Sequence, residues 1–305
     1  MAFPSIDEVV DSYAAYLGAV YPDSLRPFNQ RRNADREGAI AEAIVFRMLQ
    51  TFGVRPEVNE VPGTGGADFL CSATGGSPLA VLQAPSPESR FVVEATSLDP
   101  AAVSSRSHLP NGPPVEGGGG AFGLLTAAVF AKSKNKTRQL AGYPMPRVLV
   151  IASSHERIGA LFNIYAAEEI LVSGFHWRQE IGSDVIDHNR YTDLTMSVFM
   201  KPSPDGMTIL PARKSISAIL LVAAHGTESV VYGILHPEPS YPLNRWFLPS
   251  IPFIRIASWP IVDGRITTEW VTANPKGLTV HHAPVRVPRK KPMMPEPVDA
   301  DDTDG

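Results

Sequence analysis

Apolar positions recur at helical spacing over residues 6–20, where Ile6, Val9, Val10, Tyr13 and Leu17 share one face; this predicts a first helix. Tyr21-Pro22-Asp23-Ser24 reads as a turn. A second stripe, Ile40, Ile44, Val45, Met48, Leu49 and Phe52, predicts a helix over 35–52 that Gly53 stops. The period then shortens to two. Three short strands are expected at 55–61, 67–73 and 90–98, divided by Gly63-Thr64-Gly65-Gly66 and by the stretch from Gly75-Gly76 to Pro87. Residues 99–120, rich in Ser, Pro and Gly and closing on Gly117-Gly118-Gly119-Gly120, read as a long loop, a length often kept for function. A helix with a basic second half follows at 121–140, stopped before Pro144 and Pro146. The run 147–153, with Val148, Leu149, Val150 and Ile151, is a buried strand.

The second half is less regular. Residues 157–172 have helical character, and 215–223 and 229–235 are strands expected to pair through His225-Gly226-Thr227. Residues 236–260 are proline-spaced and irregular, carrying Trp246, Phe247, Phe253 and Trp259. Periodicity is lost from about Lys276, and 289–305 is low-complexity sequence expected to be disordered. The expected organisation is an N-terminal helical extension (1–33), a core (34–153), an elaboration packed on it (154–275) and a disordered tail (276–305). No internal repeat is visible.

Composition narrows the class. A chain of 305 residues with a formal charge of −4 has room for a full core and does not advertise nucleic-acid binding. The charge is uneven: Asp299, Asp301, Asp302 and Asp304 crowd the tail, while Arg26, Arg31, Arg32 and Arg36 form one basic stretch and Lys132 to Arg138 another. No run approaches the roughly 20 apolar residues a membrane span needs. Met1 to Glu8 lacks the order of a signal peptide, and the single cysteine, Cys71, sits in an apolar strand as a core residue. A cytoplasmic protein with no membrane partner is the expectation. The histidines lack metal-ligand spacing, Gly117–Gly120 lacks a P-loop ending and reads as a hinge, and no Gly-x-Ser-x-Gly elbow exists.

The chemistry concentrates on two strands. Ala67-Asp68-Phe69-Leu70 and Phe91-Val92-Val93-Glu94-Ala95-Thr96 each place one carboxylate in an apolar run, which is expensive unless a cation answers it. Alternation puts Val92, Glu94 and Thr96 on one side of the strand. On neighbouring strands, Asp68 and Glu94 can converge on one hard metal ion. Such a pair supports phosphodiester hydrolysis when a lysine, ordinarily two residues after the strand carboxylate, orients the attacking water. Glu42, midway along the second helix, is a third carboxylate within reach. Plainer readings exist for each residue: Asp68 bonding backbone amides after a glycine turn, Glu94 at a strand edge, Glu42 on a solvated face, and Lys132, Lys134 and Lys136 as a solvated helix end favoured by the macrodipole.

Glu42, Ala67-Asp68-Phe69, the run Phe91 to Thr96 and the following helix and strand resemble the PD-(D/E)XK, or restriction-endonuclease-like, nuclease superfamily over residues 35–153. More narrowly they resemble an uncharacterised bacterial group reading Asp-Phe, Glu-Ala-Thr and then a lysine-bearing helix. The resemblance extends to Ser215–Val222, Leu235-His236-Pro237 and Tyr241-Pro242-Leu243. It implies an α/β fold with a restriction-endonuclease-like core: a central mixed sheet flanked by helices, with N-terminal helices and a C-terminal β/loop elaboration. It further implies a Mg²⁺- or Mn²⁺-dependent endonuclease acting on DNA, with Asp68 and Glu94 as metal ligands and Glu42 assisting. The sequence departs from the pattern at Thr96, which stands where the lysine belongs. The superfamily sometimes supplies that lysine from the next helix, which points to Lys136 first and Lys132 second. Ala67 in place of proline is a lesser departure. The alternative is a nuclease-like fold that no longer cuts and serves as a binding or assembly subunit. A third reading makes 154–275 a surface for a protein partner, with Trp246, Phe247 and Trp259 as anchors, although the three are equally consistent with a core lid; a homodimer is a separate partner expectation.

Overall fold

Ser5 opens the first helix. Its hydroxyl accepts the Glu8 N–H while the Glu8 carboxylate accepts the Ser5 N–H, a capping box that fixes the start of α1 (Ile6–Val20). The buried face is Val9, Val10, Tyr13 and Leu17, as the periodicity requires. The next element corrects the sequence reading. Residues 21–24 are not a free turn but the entry to α2 (Pro22–Ala34), with Pro22 in the first turn, where a missing N–H is harmless. This helix buries a single apolar side chain, Phe28, so no stripe announces it. Asp35 serves two helices: its N–H donates to the Arg31 carbonyl at the end of α2, and its carboxylate accepts the Gly38 N–H at the start of α3 (Arg36–Thr51).

The computed structural model describes residues 4–59, 66–73, 89–98, 119–173, 176–179, 186–225, 228–272 and 284–287. After α3 come β1 (Val54–Val58), β2 (Phe69–Ala73), β3 (Arg90–Ser97), α4 (Gly119–Leu140) and β4 (Arg147–Ser153). β1, β2 and β3 form an antiparallel meander, and β4 adds parallel to β3 after the α4 crossover. The segment expected to be helical at 157–172 is two helices, α5 (Glu156–Gly159) and α6 (Ile164–Val172). There follow β5 (His176–Gln179), β6 (Ile186–Tyr191), β7 (Met200–Pro202) and β8 (Ile209–Pro211). The chain continues through β9 (Ala218–His225), β10 (Glu228–Leu235), β11 (Phe253–Ile256), β12 (Arg265–Ile266), β13 (Thr268–Val271) and β14 (Val285–Arg286).

One eight-stranded mixed sheet, in the order β1-β2-β3-β4-β9-β10-β11-β13, spans both halves of the chain. β9 and β10 pair antiparallel as expected. The irregular reading of 236–260 is corrected by β11, which pairs parallel to β10 and is short enough that the surrounding prolines mask it. A smaller sheet, β12-β14-β6-β5, and the β7–β8 ribbon complete the described strands; β14 falls within the tail expected to be disordered from 276 and corrects that reading at 285–286, where it pairs with β12 and β6. The loop expected at 99–120 lies outside the described residues up to 118, as do the end of the first strand at 60–61 and the tail beyond 287.

The sheet is covered on both faces, and period-two alternation sorts its residues. Phe69, Phe91, Val93, Val148, Val150, Leu220 and Val222 pack against α1 and α3 through Val10, Tyr13, Leu17, Ile44 and Leu49. Val92, Leu149, Ile151, Ile219 and Leu221 pack against α4 and α6 through Leu125, Val129, Ile170 and Leu171. β4 is buried along its whole length, hence its unbroken apolar run. Among the described residues no helix is long and apolar enough to cross a membrane.

Candidate functional site at the β2–β3 fork

β2 and β3 pair from Ser72↔Arg90 to Phe69↔Val93, and there the pairing ends. The N–H groups of Val92 and Leu98 point toward β4, bonding the Pro146 and Ala152 carbonyls. By alternation the Ala95 N–H points the other way, toward β2, just past the last paired residue. The Asp68 carboxylate accepts it at 2.6 Å. Asp68 therefore bonds a backbone amide, its plainer reading, and in doing so is anchored directly beside Glu94.

Glu94 lies on the face of β3 that meets α4 and is 1% exposed. Its Oε1 accepts from Lys136 Nζ at 2.5 Å and its Oε2 from Gln139 Nε2 at 2.9 Å. Lys136 and Gln139 are three apart on α4 and so share the face that meets the strand. A carboxylate buried this deeply needs a partner cation and full hydrogen bonding, and α4 supplies both. Lys132, one turn earlier, is half-buried, and Lys134 is exposed; the lysine that reaches Glu94 is Lys136. Thr96 is buried on the Glu94 side of β3, where a lysine would stand in the usual pattern.

The segment carrying Asp68 is gripped from the end of α4. Gln139 Nε2 also donates to the Gly66 carbonyl, and the Tyr143 hydroxyl accepts the Ala67 N–H at 2.8 Å. Asn59 donates to both the Tyr143 hydroxyl and the Ala67 carbonyl, and its own N–H bonds the Asp68 carbonyl. Gly66 has φ 139°, and a Cβ there would sit 2.8 Å from the Tyr143 oxygen, so backbone and space both require glycine.

Glu42 is engaged by other partners. It is buried between α1, α2 and α3, where Tyr13 donates to Oε1 at 2.8 Å and Arg31 pairs with Oε2 at 2.7 Å. The Tyr13 hydroxyl is held well above the usual tyrosine range, first by burial and then by the charges of Glu42 and Asp68. Tyr13 thus lies within the electrostatic reach of both carboxylates. Among the described residues no group of three or more His, Cys, Asp or Glu side chains is arranged to hold a metal ion. Of the three expected ligands, Asp68 and Glu94 adjoin, and Glu42 is not gathered with them into a three-carboxylate cage.

Gln139, Tyr143, Asn59, Arg31 and Tyr13 are contacts that the sequence did not single out. Gln139 carries a usable signal, lying one helical turn after Lys136; the others become visible only once the chain is folded. The aromatic anchors divide: Trp246 is 57% exposed, Phe247 stacks on Phe91, and Trp259 donates its indole N–H to Glu238.

No family model, curated protein or solved structure matches the chain. Its architecture is that of an α/β protein with a large mixed central sheet flanked by helices. Where its antiparallel β2 and β3 part, it carries a lysine–carboxylate pair.

Proposed function

We propose that the chain is a Mg²⁺- or Mn²⁺-dependent nuclease of the PD-(D/E)XK kind, cutting DNA. The observation that carries this reading is the Lys136 ammonium on Glu94, beside the Asp68 strand end, within a helix–three-strand–helix–strand unit. The lysine absent at Thr96 has a counterpart one element later, pointing at the same carboxylate.

The donor set suits the metal. Mg²⁺ takes hard oxygen ligands and typically uses one or two carboxylates while keeping several waters, so Asp68 and Glu94 suffice without a third. Glu94 already holds a cation in its Lys136 partner. When bound, the metal supplies Lewis-acid stabilisation of the phosphate and lowers the pKa of water. The protein's own groups do the rest. Asp68 and Glu94 fix the cation site to the sheet. Lys136 orients the attacking water and offsets charge building on the scissile phosphate. Glu42, held by Tyr13 and Arg31, contributes negative charge from outside the Asp68–Glu94 pair. DNA is preferred because the resembling superfamily mostly cuts DNA; exposed Lys134 and Arg138 on α4 are available for backbone phosphates.

The test is cleavage of supercoiled plasmid, linear duplex and single strands with Mg²⁺ or Mn²⁺. Asp68→Ala, Glu94→Ala and Lys136→Ala are each expected to lose on the order of 100-fold or more. Cleavage that survives Glu94→Ala overturns the assignment. Absence of cutting by folded wild-type protein on every substrate favours the non-cutting binding subunit, for which the substitution at Thr96 speaks.

A further inference from the structure

A lysine two residues after the carboxylate on the same strand is placed by the strand itself. Here the lysine comes from α4, and strand geometry does not fix where its amine sits relative to Asp68 and Glu94. Something must index the helix to the fork. We propose that Gln139 is the positioning residue that does so, an inference resting on the nuclease reading above.

The side-chain amide of Gln139 joins three parts of the site. Its Oε1 accepts from Lys136 Nζ at 3.1 Å, its Nε2 donates to Glu94 Oε2 at 2.9 Å, and the same nitrogen donates to the Gly66 carbonyl, two residues before Asp68. Both amide hydrogens have acceptors, and the carbonyl holds the ammonium. The chemistry selects the residue. A lysine neighbour requires an acceptor and a carboxylate neighbour requires a donor, and a neutral amide offers both. Glutamate would repel Glu94 and offer the Gly66 carbonyl no donor. Lysine or arginine would offer Lys136 no acceptor. Asparagine is one methylene short.

Tyr143 gives the same end of α4 a second hold on the fork through the Ala67 N–H. The helix thereby carries the lysine and also grips the turn before Asp68, so amine and carboxylate cannot drift apart independently. Gln139 is half-buried, with its polar end turned into the site. The lone signal in the sequence is its spacing from Lys136.

The test uses the full-length chain with Gln139→Leu, Gln139→Glu and Tyr143→Phe, alongside Lys136→Ala and the Lys136→Ala/Gln139→Leu double variant. A misplaced group near 1 Å out of position costs about 100-fold, so Gln139→Leu and Gln139→Glu are expected to lose about 10- to 100-fold in kcat with KM for DNA within about twofold. Tyr143→Phe, which leaves Gln139 in place, is expected to lose less. Because Gln139 acts through Lys136, the double variant should lose far less than the product of the two single losses. An amine NMR signal of Lys136, slowed in exchange in the metal-free wild type and lost in Gln139→Leu, reads the same contact without catalysis. Wild-type cutting with Gln139→Leu equal to wild type overturns this inference and leaves the nuclease reading standing. Fully multiplicative losses in the double variant overturn it likewise. A wild type that cuts nothing overturns the nuclease reading itself, and the positioning role with it.

Discussion

Tyr13 on α1 donates its hydroxyl to Glu42 on α3 at 2.8 Å, and Arg31 on α2 closes the other side of that carboxylate at 2.7 Å. Three helices are thus tied at one buried charge, next to the fork that holds Asp68. A buried carboxylate stripped of its cation is costly, whereas one neutralised together with its partner is not. Arg31→Met is therefore expected to destabilise the chain by about 1–2 kcal/mol, discounted because Arg31 is partly exposed. Glu42→Ala should cost more, about 2–4 kcal/mol, because it leaves the Tyr13 hydroxyl without its acceptor and opens space in the core. Urea unfolding at neutral pH measures both. A Glu42→Ala protein as stable as wild type would show that the helices do not depend on this contact.

The pair at the site obeys the same logic with a sharper contrast. Lys136→Met leaves Glu94, 1% exposed, with Gln139 as its remaining donor among these contacts, and is expected to cost about 3 kcal/mol. Glu94→Gln removes the charge from the deeper partner and leaves Lys136 its Gln139 acceptor and some solvent, so the loss should be nearer 1 kcal/mol. The double variant Lys136→Met/Glu94→Gln is expected to recover most of the Lys136→Met loss. A double variant no more stable than Lys136→Met would show that Glu94 is not the charge Lys136 neutralises. Activity should vanish in all three, separating what the pair does for the fold from what it does for the reaction.

Parts of this arrangement were legible in the chain because they rest on periodicity. The stripe from Ile40 to Leu49 and the run Val148 to Ile151 are long enough to declare a helix and a buried strand. The alternation around Glu94 announces which neighbours share its face. α2 escaped because Phe28 alone is buried, and hydrophobic periodicity needs more than one point. β11 escaped because its four residues sit among prolines and gain their identity from pairing with β10. At the site, Lys136 was reachable from its place before β4. Gln139 offered no more than its spacing from Lys136, and Arg31 offered nothing, since a polar residue on a helix reads as solvated until a folded partner appears opposite it. Glu42 shows the converse. Its carboxylate was expected as a third ligand, whereas the structure engages it with Tyr13 and Arg31, on helices whose mutual packing the sequence does not state.

Two buried groups that make no contact within the fork described above set opposite pH dependences. Burial pushes the Glu169 carboxyl on α6 up to about 7, opposed by the nearby Arg190, so the folded chain keeps its proton where the unfolded chain has lost it. That raised value adds stability that is complete below about pH 4.5 and is lost as pH rises through about 7. His236 does the reverse. Burial lowers it to about 4, and its hydrogen bonds agree: Nδ1 accepts the Glu238 N–H, leaving Nε2 to carry the proton to the Ala212 carbonyl. Its contribution is complete above about pH 6.5 and is lost as pH falls through about 4. Each shift is worth at most about 3 kcal/mol, and between about pH 4.5 and 6.5 the two slopes oppose each other. Glu169→Gln removes one of them. Relative to wild type, it is expected to be near neutral at pH 4.5 and to become stabilising by about 1–3 kcal/mol at pH 8, where wild type must bury the ionised carboxylate. His236→Gln, which removes the other, is expected to show its cost mainly above pH 6.5, with wild type falling toward it as the pH drops to 4. Urea midpoints for the three proteins across this range decide the matter, and a Glu169→Gln difference that does not grow between pH 4.5 and 8 refutes the raised carboxyl.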